Sequence, residues 1–424
     1  MSKAPPALAQ RFADTMGQML GPDFPSKLGI AVSGGGDSMA LLYLTHNWAR
    51  VMGIPLHVAT IDHGLRAESA SEAAFVAEEC GALGHGHDVL RWDGWDGTGN
   101  LQDAARRARL DLIDGWRGDV AHVLFGHTAD DQAETLLMRL RRGSGVDGLA
   151  GIPPRRTYGE RSRGYTILRP LLAERREALR HYLRVFQGTW VEDPSNHDPL
   201  FDRVRMRKLL TELEPQGMGV PHLADTARQM ARARAALIAR ARSVLDDVAQ
   251  TTSTGDVLLH RDPLAALEEE SRLRLMAASL IWVASAEYRP RLAALEALTE
   301  TVLSGGAATL HGCEVRAEGA VLRITREFNA VCNVVVPVGA PWDTRWQADG
   351  DAIAGLSLRA LGEDGLSQIG TRPAGAPPWA ALRSVPAIFD GDVLVACAAL
   401  GHGPEYNTQL CPPHGTLSAS LDTH

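Results

Sequence analysis

The run Leu28-Gly29-Ile30-Ala31-Val32-Ser33-Gly34-Gly35-Gly36-Asp37-Ser38 limits the fold more than any other feature of the chain. Residues 28–32 read as a buried strand. Three consecutive glycines interrupt it, and an amphipathic pattern begins at Ser38. Glycine admits φ > 0 and puts no side chain between the backbone and a ligand. A turn of this kind, ending on a helix N-terminus, aims several N–H groups at one anion, and the hydroxyls of Ser33 and Ser38 add donors. Asp37 is out of place beside a phosphate unless a cation lies between them, which Mg²⁺ bridging a carboxylate and a polyphosphate would supply. Two common phosphate loops are excluded. The only lysines are Lys3, Lys27 and Lys208, and none follows a glycine, so there is no Walker loop. Met39 stands where a dinucleotide-binding G-x-G-x-x-G needs its last glycine.

Strand-like runs at 28–32, 56–61, 88–92 and 121–125 alternate with helical patterns at 38–52, 68–83, 101–116 and 128–141. That alternation predicts a doubly wound, mostly parallel α/β sheet covered on both faces, with ligands at the carboxyl ends of its strands. At 424 residues the chain exceeds the roughly 250–300 at which one core stops growing. Beyond Pro215 the pattern turns helical: one long helix over 225–248 with Asp225 as N-cap, then 263–285 and 291–303. Short strands follow at 308–310, 313–317 and 320–324. An extended run at 331–336 opens a third region, which ends in a strand at 393–398 and a polar, loose tail after Gly401. The domains expected are 1–215 catalytic, 216–328 mainly helical and 329–424 small α+β.

The second chemical cluster is Gly126-His127-Thr128-Ala129-Asp130-Asp131-Gln132-Ala133-Glu134-Thr135. At the helical period His127, Asp130, Asp131 and Glu134 share one arc, while Ala133, Leu136, Leu137 and Leu140 form an adjoining face that can pack on the sheet. Three clustered carboxylates repel one another. They are consistent with a cation among them, either Mg²⁺ or an ammonium substrate.

The chain carries 43 basic and 51 acidic residues, a net charge of −8, which argues against a nucleic-acid partner when taken whole. Residues 139–208, however, hold 16 basic and 8 acidic side chains. The five cysteines form no C-x-x-C, the N-terminus has no apolar core of signal-peptide length, and no apolar run approaches ~18 residues. A cytoplasmic protein without a membrane span is expected.

S-G-G-x-D-S directly after a buried strand resembles the PP-loop of the N-type ATP pyrophosphatases, adenine nucleotide alpha hydrolase-like proteins in which the loop holds the pyrophosphate end of ATP. Within that superfamily the chain resembles the tRNA(Ile)-lysidine synthetases. The resemblance rests on Thr60-Ile61-Asp62-His63-Gly64-Leu65-Arg66, on the helix Asn100-Leu101 through Arg106 and Arg109, and on Gly126–Thr135. It extends to the run 139–152, to Arg169-Pro170-Leu171-Leu172, and to Trp190-Val191-Glu192-Asp193-Pro194-Ser195-Asn196. Asp62, Gln102 and Leu110 replace the usual Asn, Glu and Tyr, and Arg203-Val204-Arg205-Met206-Arg207 replaces R-N-x-I-R. A tRNA thiolase of the same superfamily is the alternative, but thiolation branches generally use reactive cysteines. Residues 1–312 contain only Cys80, in a helical pattern, where a buried structural thiol is expected. AMP activation of another tRNA base or a small-molecule carbonyl is a further alternative within the superfamily, and RNA binding around a relic pocket is a last one, which the complete loop and acidic helix disfavour.

The resemblance implies that ATP adenylates the wobble cytidine of a CAU-anticodon tRNA(Ile), that free L-lysine displaces AMP, and that no obligate protein partner is needed. Ser33, Gly34, Gly35, Gly36, Asp37, Ser38, Ile61 and Gly126 would bind ATP. Asp37 with Asp130 or Asp131 would hold Mg²⁺, and Asp37, Asp131 and Glu134 would be catalytic. Glu134 and His127 would meet the lysine, although His127 serves equally well as a structural histidine. Arg106 and Arg109 could contact phosphate or the cytidine. Arg141, Arg142, Arg203, Arg205 and Arg207, with Arg155, Arg156, Arg161 and Arg163, could track the RNA backbone. On 174–186, by contrast, Arg175, Arg176, Arg180 and Arg184 read as a solvated helix face. The helical region 216–326 would grip tRNA, and 355–401 resembles a degenerate acceptor-stem domain.

Overall fold

In the computed structural model the described residues are 7–64, 69–95, 97, 100–159, 164–192, 202–349, 355–404 and 406–423. They form two compact units, Met1–Arg234 and Ala235–His424.

The first unit is built on a six-stranded sheet of order β3-β2-β1-β4-β6-β5. Its strands are β1 (Leu28–Ala31), β2 (Leu56–Asp62), β3 (His87–Arg91), β4 (His122–Phe125), β5 (Arg155–Tyr158) and β6 (Tyr165–Leu168). All neighbours are parallel except β5 and β6. The helices are α1 (Leu8–Leu20), α2 (Gly36–Met52), α3 (Ser69–Ala82), α4 (Leu101–Trp116), α5 (Ala129–Arg141), α6 (Val146–Leu149), α7 (Arg176–Val185), α8 (Asp202–Leu213) and the first part of α9 (Val220–Ser243), up to Arg234. Alternate strand residues enter different cores. Ile30, Leu124 and Leu168 pack with residues of α1, α2, α3 and α7, whereas Val123 and Ile167 pack with Leu110 and Ile113 of α4. A parallel sheet covered on both faces needs such unbroken apolar strands, which is why the alternation was legible in the sequence.

β1 lies between β2 and β4, with Ile30 registered against Val58 on one side and Leu124 on the other. The strand order reverses there. The glycine-rich turn after β1 and the segment Gly126–Thr128 after β4 therefore leave the sheet side by side, where open α/β sheets bind their ligands.

The apolar face of α5 does not use the sheet as expected. Ala129, Ala133 and Leu137 pack on Met206 and Leu210 of α8 and on Val220, while Leu140 is exposed. The basic sequence of α8 hides the apolar stripe that makes this contact. The 225–248 expectation is also revised. α9 begins at Val220, with Pro221 tolerated in its first turn, and breaks before α10 (Leu245–Val248). Asp225 sits inside the helix, 2.8 Å from Arg228.

In the second unit a five-stranded sheet packs on α12 (Glu269–Ala284) and α13 (Leu292–Leu303) around Leu275, Leu280, Val315 and Ile324. A four-stranded sheet includes β14 (Leu356–Ala360) and β15 (Pro386–Asp390), and a separate pair joins β13 (Trp346–Asp349) to β17 (Asn407–Leu410). Residues 331–336 are not one strand: a helical turn ends at Val331 and a short strand begins at Val335. The tail is not loose either. β17 completes the pair, and Leu417 and Leu421 enter the core around α12. Each of these apolar residues is isolated among polar neighbours, and the strand that pairs with β17 lies some sixty residues upstream, so no local pattern shows the fold. No helix among the described residues is long and apolar enough to cross a membrane.

Candidate active site

The loop after β1 is held from within. The Ser33 N–H donates to Ser38 Oγ (3.1 Å), Ser38 Oγ donates to the Gly35 carbonyl (2.9 Å), and the two hydroxyls lie 3.2 Å apart. Gly34 has φ 81°, a conformation that β-carbons disfavour. Gly126 allows β4 to end directly against the loop, since a Cβ there would lie 3.1 Å from both the Asp37 carbonyl oxygen and Ser38 Cα. From the other side the Val191 N–H donates to the Gly34 carbonyl (2.9 Å), and the Trp190 ring lies 3.5 Å from where a Gly36 Cβ would stand. Sequence reading took Trp190-Val191 only as the lead-in to a motif; here they clamp the loop.

α5 opens on a capping box. Asp131 Oδ2 accepts from both the N–H and the hydroxyl of Thr128, each at 2.8 Å, and the Asp131 N–H donates back to Thr128 Oγ1 (3.4 Å). The Glu174 carbonyl accepts the Ala129 N–H (2.9 Å), and the Glu174 carboxylate is itself gripped by Arg11. This places Arg176, the first residue of α7, over the acidic helix. Its Nε donates to Asp37 Oδ2 (2.8 Å), Nη1 to Glu134 Oε1 (3.3 Å) and Nη2 to Asp131 Oδ1 (3.4 Å). Among the described residues, a guanidinium from the chain itself lies among the three carboxylates. The solvated-face reading of Arg176 is thereby corrected. One signal was in the sequence: a cation in the first turn of a helix opposes the macrodipole and needs another reason to be there.

Glu134 is 1% exposed and also accepts from Arg207 Nε (2.7 Å). Asp130 turns away from the loop: its Oδ2 accepts the Arg176 main-chain N–H (2.8 Å) and lies 3.5 Å from Arg175. Burial alone would raise the Asp131 pKa, but the charge of Arg176 and the Thr128 N–H outweigh it and hold the group below its ordinary value. For Asp37 burial prevails over Arg176, and the pKa rises. Asp37 Oδ1 and Glu134 Oε2 are buried and have no hydrogen-bond partner among the described residues.

His127 Nδ1 accepts from Arg169 Nε (3.3 Å). Burial, followed by the charge of Arg169, pushes its pKa down to about 3, so the ring is neutral. Arg109 is half-buried beside His63, with Nη2 and Nε2 3.4 Å apart, and its pKa is lowered by loss of solvent and by the charges of Arg203 and Arg106. Ile61, at the carboxyl end of β2, packs with the α4 core. Asp62, at the position where Asn is usual, accepts the Gly64 N–H (2.9 Å), a bond an Asn carbonyl would make equally well. Arg139 donates to the carbonyls of Gly148 (2.6 Å) and Gly151 (2.9 Å), and Gln132 exchanges hydrogen bonds with Ile152, so the run 139–152 is a folded cap. Arg141, Arg142 and Arg205 converge on Asp202 at the surface. Leu65, Arg66, Arg161, Arg163 and Asp193–Asn196 lie outside the described residues.

The PP-loop domain family matches residues 8–214. The tRNA(Ile)-lysidine synthase of Ruegeria pomeroyi is 42% identical over 402 residues, covering 94% of this chain and 95% of that protein. The chain belongs to the tRNA(Ile)-lysidine synthase family. Other family members lie further off: that of Wolbachia pipientis is 36% identical over 82% of this chain and 80% of its own length, and that of Hyphomonas neptunium is 40% identical over 68% and 78%. Membership in the lysidine synthase family makes the chain an ATP-using ligase. Among solved structures, the U34-tRNA thiolase NcsA from Methanococcus maripaludis aligns over 53% of this chain and 79% of its own, at 16% identity and a TM-score of 0.44. In this lysidine synthase, Cys80 is buried, and burial pushes its thiol up to about 11, which leaves it protonated and unreactive.

Proposed function

We propose that this chain ligates free L-lysine to the wobble cytidine of CAU-anticodon tRNA(Ile) in the cytoplasm, in two steps and without an obligate protein partner. The cytidine carbonyl oxygen attacks the α-phosphorus of ATP, and pyrophosphate leaves. The lysine amine then attacks the activated ring carbon and expels AMP. The observation that carries this reading is a phosphate loop lying against Asp37, Asp131 and Glu134, in a chain whose similarity to a lysidine synthase runs through 94% of its length.

The loop backbone from Ser33 to Ser38 and the N-terminus of α2 hold the pyrophosphate. The orphaned oxygen of Asp37 and the neighbouring Asp131 fit Mg²⁺, which takes one or two carboxylates and completes its shell with phosphate and water. Asp37 and Asp131 would hold it, since Asp130 is committed to the start of α7. When bound, it neutralises charge on the departing pyrophosphate. Glu134, already paired with two guanidiniums, is the seat for the lysine ammonium and can relieve it of a proton. With Nδ1 accepting from Arg169, the His127 proton sits on Nε2, so His127 offers the lysine a donor near Asp131 rather than a charge. Arg106 and Arg203 lie close enough to Arg109 for their charges to act on it, and the three would contact phosphate or the cytidine. Arg141, Arg142 and Arg205 form an exposed basic edge for the anticodon stem, and Arg207 links that edge to Glu134. The regions 216–328 and 329–424 would hold the rest of the tRNA.

The test is incubation of purified protein with ATP, Mg²⁺, labelled lysine and CAU-anticodon tRNA(Ile). Label should enter the tRNA only when all components are present. No incorporation, with an active control enzyme, overturns the proposal, and ATP–pyrophosphate exchange persisting without RNA would indicate a different acceptor.

A further inference from the structure

The three carboxylates of the site come from two elements that differ in sequence by about a hundred residues, yet one side chain serves them all. Each of the three guanidinium nitrogens of Arg176 faces a different acid: Nε on Asp37, Nη1 on Glu134, Nη2 on Asp131. The bond to Asp37 has the length of a charge-assisted pair, whereas 3.3 and 3.4 Å exceed it. A planar fork cannot satisfy three acids fully, and Asp37 Oδ1 and Glu134 Oε2 have no hydrogen-bond partner among the described residues. A small cation that takes oxygen ligands in all directions suits those oxygens better than a guanidinium does.

The main chain under this side chain is pinned. Asp130 holds the Arg176 N–H, and Arg11 holds Glu174 two residues before it. The guanidinium can therefore leave by rotation of its own side chain, with α7 staying where it is.

We infer that Arg176 is a resident counter-ion of the site, holding Asp37, Asp131 and Glu134 together and competing with a divalent cation for the oxygens of Asp37 and Asp131. This rests on the reading of Asp37 and Asp131 as the metal-holding pair. Arg176 is a positioning residue: it keeps three like charges gathered, and must surrender Asp37 when a divalent cation takes its place.

The experiment measures Mn²⁺ binding to the full chain, without nucleotide, by electron paramagnetic resonance. Removing the competitor in Arg176→Gln should tighten Mn²⁺ binding at least tenfold. Arg176→Lys should fall between the two, because a single ammonium cannot reach all three acids. Circular dichroism establishes that each variant is folded, and Arg176→Lys carries the test if Arg176→Gln is not. A merely structural ion pair would lower the melting temperature and leave Mn²⁺ affinity where it was. Mn²⁺ affinity no higher than wild type in the folded variants overturns the inference. Lysine incorporation is read separately. Protein that ligates no lysine but shows the predicted order of Mn²⁺ affinities refutes the function and leaves the counter-ion standing. The converse result refutes the counter-ion alone.

Discussion

Gly126→Ala tests whether the end of β4 sets the shape of the phosphate loop. The added methyl would lie 3.1 Å from the Asp37 carbonyl oxygen, 3.1 Å from Ser38 Cα and 3.2 Å from the Asp37 carbonyl carbon. All three are backbone atoms, so no flexible side chain can give way, and ordinary contact requires the loop to retreat by a few tenths of an ångström. Overpacking of this kind costs about 1–3 kcal/mol. The cost appears either as lost stability or as lost affinity for ATP, because the loop N–H groups no longer converge on one anion. Entirely in binding, about 1.4–3 kcal/mol would weaken ATP roughly tenfold to a hundredfold. Entirely in stability, each kcal/mol would lower the melting temperature of a unit this size by about 2–4 °C. The assays are KM for ATP in lysine incorporation and a thermal melt of the same preparation. Gly17→Ala in α1 is the control: a Cβ there meets nothing within 4 Å, and the change should stabilise by up to about 1 kcal/mol. Wild-type KM together with a wild-type melting temperature for Gly126→Ala would refute the claimed contact.

Asp131→Asn and Glu134→Gln should each reduce lysine incorporation by about 10²–10⁴ while keeping the fold; near-normal turnover in either removes it from the reacting set. His127 has its pKa driven down to about 3 by burial and by Arg169, so between an unfolded value near 6.5 and pH 3 the unfolded chain binds the extra proton. Stability should fall as pH drops through that window, by up to about 1.4 kcal/mol per unit from this group. Urea unfolding of His127→Asn at pH 7, 6 and 5 should show a shallower slope, and an unchanged slope would count against the neutral, buried ring. A chain ending at Gly403 loses β17 and the buried Leu417 and Leu421, worth about 3–6 kcal/mol at roughly 1.5–3 each. Its second unit should melt far earlier by circular dichroism, and an unaltered melt would mean that the tail contributes nothing.

Much of the site was legible because its chemistry is local. The strand, the three glycines and Ser38 are contiguous, so the phosphate loop could be read directly. Asp131 and Glu134 lie one turn apart on one helix, so their shared arc follows from the helical period. Four βα units of unbroken apolar strands similarly announced a parallel sheet. Arg176 could not be read in this way. It reaches Asp37 across 139 positions of sequence, and its own neighbours Arg175, Arg180 and Arg184 gave it the look of a solvated face. The partner of the apolar stripe on α5 was hidden for a similar reason, since Arg203, Arg205, Arg207 and Lys208 make the first part of α8 basic and mask the side on which Val204, Met206 and Leu210 are buried.

The sequence by itself determined the phosphate loop, the acidic helix and the alternation that brings both to one edge of a sheet, because each depends on residues within a few turns of one another. Tertiary structure alone decided that Arg176 reaches all three carboxylates, that Asp131 rather than Asp130 meets its guanidinium, and that a polar tail completes the second unit. Those outcomes depend on groups far apart in sequence that meet only when burial makes an unpaired charge or a lone leucine costly enough to be matched.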